Sequence, residues 1–174
     1  MWDFFATVRH RHSVRRYHAD QPVEMEKLHA ILEAACSAPS AGDLQAYRIL
    51  VVQQATTREA LRKAAGDQTF ISTAPICLAF CADPKRSATQ FGERGAQLYA
   101  LQDTTIAAAY AQLAIVAAGL GSTWVGYFDE EEVARILDLE KGLIPLALLS
   151  VGYPAELPDP TSRRQITDVV RYLP

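Results

Sequence analysis

The longest apolar stretch of the chain, residues 104–128, contains no charged side chain. About 20 such residues can span a lipid bilayer, but this stretch is rich in alanine, contains Gln112 and is interrupted by two glycines. Its flanking residues are acidic, whereas membrane helices are oriented by basic flanks. A helix that is apolar on nearly every side is otherwise a buried one. We therefore expect a central core helix, followed by an extended segment at 122–128, and no membrane span.

Shorter patterns predict the other elements. Apolar residues spaced three or four apart are typical of amphipathic helices, and short runs of β-branched apolar residues are typical of strands. Asp129, with Glu132 three positions on, predicts a capped helix start. Together these patterns predict further helices at 2–10, 25–38, 56–65 and 130–137 and further strands at 49–52, 76–82 and 146–151.

The order of these elements indicates the fold class. The strands are few and short, so we expect an α+β fold in which helices wrap around a small mixed sheet. With 174 residues, of which 49% are hydrophobic, the chain can form one domain, 1–174, with a sizeable core. The polar, glycine-containing segment 84–95 favours a surface loop or lid. The tail, 154–174, has too few apolar residues to pack alone, so we expect it to cross another element or another subunit.

Charge and cysteine content narrow the classes of function. A net charge of −3 argues against broad nucleic-acid binding. Both ends are nevertheless locally basic, with arginines within 9–16 and 163–171, which suits one anionic ligand better than a long polyanion. Three cysteines without a CxxC pair favour buried reduced thiols over a disulfide or a metal site. No apolar leader opens the chain, so we expect a cytoplasmic protein.

The basic motif at 11–15 is the strongest candidate for chemistry. Its two arginines flank a hydroxyl, and such a set can clamp a phosphate through charge-assisted hydrogen bonds. A solvated basic turn has the same composition, so both readings stay open on the residues alone. No set of acid, base and nucleophile with catalytic spacing is visible, and the four histidines lack ligand spacing. This favours a reaction whose chemistry belongs to a cofactor and makes a metal site unexpected.

Four segments, in this order, resemble those of the FMN-dependent nitroreductases, specifically the short members of that family. RHRHSVRRYHAD, at 9–20, is similar to the RRSxRxF phosphate signature. SAPSAGDLQAYRILVV, at 37–52, is similar to APSxxNxQPWxFxVV, and AGLGSTWVGYFDEEEV, at 118–133, to LGLGSxWIGxFDEEEV. The segment 148–170 resembles the family's tail with its basic phosphate contact. The four segments cover nearly the whole chain.

The resemblance implies an intertwined homodimer with two FMN sites, each built from both chains at the interface. It places the backbone N–H of Gly126 at flavin N5, where glycine permits close approach, and it assigns no protein side chain a catalytic role. Gln68, Phe70 and Ile71 would line the open face of the flavin. The cofactor-binding residues would be Arg11, His12, Ser13 and Arg15, with Arg163 or Arg164, from one subunit and Pro39, Ser40, Ala41, Asp43 and Gln45 from the partner.

By the same resemblance, the chain would transfer hydride from NADH or NADPH to a small-molecule acceptor, a nitroaromatic, quinone or related compound, by a ping-pong mechanism. The superfamily also contains flavin-destroying enzymes, dehalogenases and azoline oxidases, and the first of these share the phosphate motif and the APS segment. A flavin-binding protein without turnover is the alternative from another class.

Two positions depart from the family pattern. Asp43 stands where the family usually has Asn, and Ala46–Tyr47 replace Pro-Trp. A carboxylate facing the flavin ring would disfavour the anionic reduced ring. Alternatively, Asp43 would accept hydrogen bonds from ribityl hydroxyls and never face the ring. The departure affects the expected acceptor preference and leaves the expected cofactor unchanged.

Overall fold

The computed structural model describes residues 3–173 and contains the five helices and four strands that the sequence predicts, in the predicted order. It also contains two helices that the sequence did not predict, at Phe70–Thr73 and Pro84–Arg94. The helices are α1 Phe4–His10, α2 Met25–Cys36, α3 Ala55–Ala64, α4 Phe70–Thr73, α5 Pro84–Arg94, α6 Ala100–Ala117 and α7 Glu130–Ile136. The strands are β1 Tyr47–Val52, β2 Ile76–Ala82, β3 Gly121–Val125 and β4 Ile144–Gly152.

Most boundaries differ from the predicted ones by one to three residues, as expected where helix ends fray. β4 begins at Ile144 and includes Pro145, whereas β3 ends at Val125, so 126–128 leave the sheet. The predicted start of the first helix at residue 2 lies outside the described residues. Asp129 caps α7 as predicted, because its carboxylate accepts the Glu132 N–H at 2.9 Å.

The prediction that 84–95 is a loop or lid was wrong. The segment is helix α5, which begins where the Asp83 side chain accepts the Arg86 N–H at 3.0 Å and Pro84 occupies the first turn. Proline in that position is pre-organised for a helix and has no N–H to leave unpaired. The segment continues through a π-helical stretch, Gly95–Tyr99, into α6. A Cβ on Gly95 would lie 2.6 Å from the Ser87 carbonyl oxygen, so the glycine permits this close packing.

The sheet has the order β1-β2-β4-β3, and its three strand pairs are antiparallel. The parallel component expected of a mixed sheet is confined to one isolated bridge, Ser13↔Ser122. Every residue of β2 is buried, which explains why its sequence is continuously apolar instead of alternating. β2 and β4 are therefore the covered centre of the sheet.

Helices cover both faces of the sheet. On one face, Leu78 and Phe80 of β2 pack with the apolar residues of α2 and α6. α6 is the central helix, but only one of its sides is buried in the single chain, and Ala109 and Tyr110 on the other side are exposed. On the other face, Cys77 and Ala79 pack with residues of α3, α4 and α7. Among residues 3–173, no helix combines the length and the apolar character needed to cross a membrane.

Two thiols are buried in β2, as predicted. Cys77 and Cys81 are fully buried free thiols, and burial raises the pKa of each to about 12 from 9.0. Cys36, at the end of α2, is exposed. Ionisation of the two buried thiols is therefore coupled to unfolding.

We expect stability to fall as pH rises from about 9 toward 12. Below pH 9 both states keep these thiol protons, whereas above it the unfolded chain loses them first, with a slope of up to about 1.4 kcal/mol per pH unit for each thiol. Urea unfolding under reducing conditions at pH 8 and pH 10.5 measures the fall. Replacing Cys77 and Cys81 together by alanine should flatten it, whereas Cys36→Ala should not, and equal falls in both variants would contradict the coupling.

Candidate functional site

The basic motif near the N-terminus lies along the edge of the sheet. Val14 N–H donates to the Ser122 carbonyl at 3.1 Å beside β3. Three residues further on, Tyr17 forms an antiparallel bridge with Pro154, just after β4. A cation-bearing segment is thereby fixed next to the start of the tail, so the two basic ends of the chain are brought together.

Two hydroxyl groups donate hydrogen bonds to the Val14 carbonyl of this segment. The Val14 carbonyl accepts from the Tyr17 hydroxyl at 2.6 Å and from the Thr123 hydroxyl. The Tyr17 hydroxyl is also 2.8 Å from Ser150 Oγ. Burial raises the pKa of Tyr17 to about 12, so its hydroxyl remains a donor at neutral pH. Val14 itself is buried, and a Cβ on Gly121 would lie 2.7 Å from it.

Arg11 and Arg163 line one surface cavity of about 380 Å³, together with Arg9, His12 and Thr161. Burial, and then the nearby Arg163 guanidinium, lower the pKa of Arg11. Within residues 3–173, neither Arg11 nor Arg163 forms an ion pair with a carboxylate. Among the described residues, Arg163 donates only to nearby backbone and hydroxyl oxygens of Thr161 and Ser162. The cavity therefore presents positive charge that the described chain does not neutralise.

Arg15 lies elsewhere. Its guanidinium carbon is 6.0 Å from the centre of the Phe70 ring, a cation–π distance. Its backbone N–H donates to the Glu156 carboxylate at 3.2 Å, and the same carboxylate pairs with Arg16 at 3.4 Å. Arg15 therefore lies beside Phe70, a residue predicted to line the open face of the flavin, whereas Arg11, His12 and Arg163 surround the cavity. The exposed Arg164 donates to the Asp168 carbonyl at 2.6 Å and does not line that cavity.

The segment 39–45 forms a second group. Asp43 and Gln45 have left-handed backbone conformations, with φ of 53° and 48°, and Gly42 between Ala41 and Asp43 has φ of 56°. Three such residues in four positions make a sharply folded, exposed turn. The Ser40 hydroxyl accepts the Gln45 N–H at 3.0 Å. Pro39, Ser40 and Ala41 line a cavity of about 600 Å³ against the start of α6.

A buried carboxylate holds this turn, and sequence reasoning treated it only as an acidic flank. Asp103, 2% exposed, accepts the Ala41 N–H at 2.9 Å and approaches the Ala46 N–H at 3.5 Å. It stands near the start of α6, which continues from the π-helical stretch, so backbone donors of the turn and not a free helix end are its partners. The available signal was an acid whose neighbours at the helical spacings of three and four residues, namely 99, 100, 106 and 107, are apolar. The carboxylate satisfies backbone donors at both ends of the turn.

The third group lies just after β3. Gly126 and Tyr127 are exposed, and the Gln68 amide donates to the Tyr127 carbonyl at 3.4 Å. Phe70 is 7% exposed, and Ile71 has no exposed surface. The expectation that Ile71 contacts a ligand is therefore corrected: it packs in the core behind Phe70. Gln68 is partly exposed, so it is the more accessible of the two remaining lining residues.

One further absence bears on the chemistry. Among residues 3–173, no group of histidine, cysteine and acidic side chains is arranged to hold a metal ion. The positive cavity, the folded turn and the exposed Gly126 are the three groups in which the structure places the predicted site residues.

Comparison with known proteins identifies the family. The family model for the nitroreductase family matches residues 8–75 and 59–153. "NADH dehydrogenase" of Thermus thermophilus is 35% identical over 92% of this chain and 91% of its own length. "FMN reductase [NAD(P)H]" of Bacillus subtilis is 33% identical over 83% of this chain, which spans 63% of that protein. The crystal structure of nitroreductase A from Vibrio parahaemolyticus superimposes with a TM-score of 0.90 and 28% identity, over 99% of this chain and 76% of that one. By sequence and by structure, the chain belongs to the nitroreductase family.

Proposed function

We propose that the chain is an FMN-dependent oxidoreductase that carries electrons from NADH or NADPH to a nitroaromatic, quinone or related small acceptor by a ping-pong mechanism. The observation that carries the proposal is the unneutralised pair Arg11 and Arg163 at one cavity. Family membership and the names of the relatives support the cofactor and the donor. We retain the cytoplasm as the expected location, since unpaired cysteines suit a reducing compartment.

The cavity fits the phosphate of FMN. Two guanidinium groups at one cavity repel, and a doubly charged phosphate bound to both would replace that repulsion with charge-assisted hydrogen bonds. His12 and Thr161 line the same cavity and offer further donors. The surrounding volume of about 380 Å³ exceeds that of a phosphate alone, so part of the ribityl chain can enter as well. Of the predicted phosphate ligands, Arg11, His12 and Arg163 keep this role in the proposal.

Arg15, Phe70, Gln68 and Gly126 suit the ring of the cofactor. FMN, when bound, would supply the redox chemistry by taking hydride from the nicotinamide and passing electrons to the acceptor. A guanidinium over Phe70 would place positive charge beside the ring and stabilise negative charge that develops there. The exposed backbone of Gly126 would offer its N–H to the ring. Asp43, exposed on the folded turn, would contact either the ring or the ribityl hydroxyls.

We further propose a homodimer in which the segment 39–45 of one chain completes the flavin site of the other. In a single chain, this segment lines a cavity different from that of Arg11. The apolar side chains of the tail are exposed, with Leu157 and Tyr172 at 88%. A groove between α1 and α6, lined by Phe4, Tyr110 and Leu113, is also open. Apolar surface of this extent in a lone chain marks an interface.

The first test is the absorption spectrum of the purified protein. We expect a yellow protein whose flavin absorbance NADH or NADPH bleaches without oxygen and a quinone restores, over many turnovers, with the flavin intact. Loss of the flavin during turnover would indicate a flavin-destroying member of the superfamily. A yellow protein that neither nicotinamide bleaches would indicate a flavin-binding protein without turnover.

The phosphate assignment is tested by comparing FMN with riboflavin. Arg11→Gln should weaken FMN binding by about 30-fold, since removing one partner of a partly buried charge pair costs on the order of 2 kcal/mol or more. Riboflavin, which lacks the phosphate, should bind about equally to both proteins. Arg16→Gln is the matched control, because Arg16 pairs with Glu156 away from the cavity. Equal losses for the two flavins would place Arg11 away from the phosphate.

The dimer is tested with a charge in the open groove. Tyr110→Glu should shift the sedimentation of the protein from dimer to monomer, because an unpaired carboxylate would be buried in the interface. FMN affinity should fall with it, since each site would lose the partner's segment. Gln54→Glu, on the exposed surface before α3, is the control and should change neither property. A wild-type monomer that binds FMN tightly would refute the shared site.

A further inference from the structure

The peptide group that joins Val14 to Arg15 is held on both sides. Its carbonyl accepts from the hydroxyls of Tyr17 and Thr123, and its N–H donates to Glu156. A peptide unit is planar, so hydrogen bonds to both of its ends fix the orientation of the whole plane. That orientation fixes the plane from which the φ angle of Arg15 is measured, and so restricts the direction in which its side chain leaves the backbone.

The segment needs such a restraint because it departs from strand geometry. Side chains alternate along an extended chain, so Arg16 would follow Val14 inward after Arg15 points outward. Instead, Val14 and Tyr17 are buried and both arginines between them are exposed. The hydrogen bond from the Tyr17 hydroxyl back to the Val14 carbonyl spans this irregular stretch.

The hydroxyl of Tyr17 is a feature of this chain beyond the motif. The signature RRSxRxF, which 11–17 resembles, has Phe at this position, and Phe would bury the same ring without a donor. Here the added oxygen lies within hydrogen-bond distance of the Val14 carbonyl and of Ser150 Oγ. Packing of the ring therefore does not explain the hydroxyl, whereas the orientation of the Val14–Arg15 peptide does.

We propose that the hydroxyls of Tyr17 and Thr123 are positioning groups that fix the Val14–Arg15 peptide and so hold the Arg15 guanidinium over Phe70, at the ring end of the flavin site. The inference rests on the proposed function, because flavin binding is the property that the positioned guanidinium serves. Tyr17 and Thr123 touch no ligand themselves and act through Arg15. Arg16, which faces Glu156, is not the target of the restraint.

A binding cycle separates positioning from general support of the fold. Tyr17→Phe combined with Thr123→Val keeps the shape of both side chains and removes both donors. Each lost hydrogen bond should weaken flavin binding about fivefold, giving about 25-fold together. FMN and riboflavin should lose affinity equally, since Arg15 serves the ring. Tyr17→Phe alone, which restores the motif residue and should fold, gives the fivefold step by itself, and Thr123→Ser, which keeps a donor, should bind as wild type does.

The same pair of substitutions is then made in Arg15→Gln and in Arg16→Gln. When two groups act through one residue, the loss of affinity on removing them does not add to the loss on removing that residue. The 25-fold loss should persist in Arg16→Gln and shrink below about threefold in Arg15→Gln. Thr104→Val, which removes a buried hydroxyl that donates to the Ala100 carbonyl in α6, should lower stability and leave flavin affinity unchanged.

The outcomes are distinct. A full 25-fold loss in Arg15→Gln would overturn the inference and make the two hydroxyls structural. An Arg15→Gln protein that binds flavin as wild type does would overturn it as well, because Arg15 would then have no role at the ring. A wild-type protein that binds neither FMN nor riboflavin would instead refute the proposed function from which the inference starts.

Discussion

The antiparallel pairing of β2 with β4 is the constraint on which the rest of the structure depends. Both strands are buried on both faces, so their backbone groups have no water to bind and must pair with neighbouring strands. The pairing fixes which β2 residues face α2 and α6 and which face α3 and α7, since a shift by one residue would exchange the two sets. Polar groups at the centre are few, and the candidate site lies at the ends and the outer edge of the sheet.

The edge strand β3 connects this buried centre of the sheet to the candidate site. Ser122 accepts from Val14, Thr123 binds the Val14 carbonyl, and the chain leaves the sheet at Gly126. Within a few residues, one strand thus supports the arginine segment and presents the exposed backbone after it. The tail that follows β4 passes the same edge and carries Glu156 and Arg163 to it. Segments far apart in sequence are assembled there because the arginine segment pairs with β3 and the tail pairs with the arginine segment.

Sequence alone predicted the centre better than the edge. Apolar runs such as 76–82 specify burial directly, so the order of the elements and the covered sheet could be predicted from them. α5 was missed because its exposed residues are polar, although the Asp83–Pro84 start was visible. Ile71 was placed at a ligand because its neighbours Gln68 and Phe70 resemble a lining segment, and only packing shows that it faces the core. The role of Asp103 and the separation of Arg11 from Arg15 depend on contacts between distant segments, which no local pattern encodes.

The distribution of ion pairs sets the site apart from the rest of the surface. Three of the described ion pairs join residues three apart on a helix, as in Arg135 with Glu132. Such exposed pairs contribute little to stability, because solvent screens them. Arg11 and Arg163, by contrast, line one cavity without a carboxylate partner in the described chain, and burial first and the nearby Arg163 second lower the pKa of Arg11. A ligand that neutralises them binds the folded state and not the unfolded one, and so raises stability in proportion to the logarithm of its concentration over its dissociation constant. The protein without an anion is therefore expected to be less stable than its liganded form, because the anion would offset both the burial of the Arg11 guanidinium and its repulsion by Arg163.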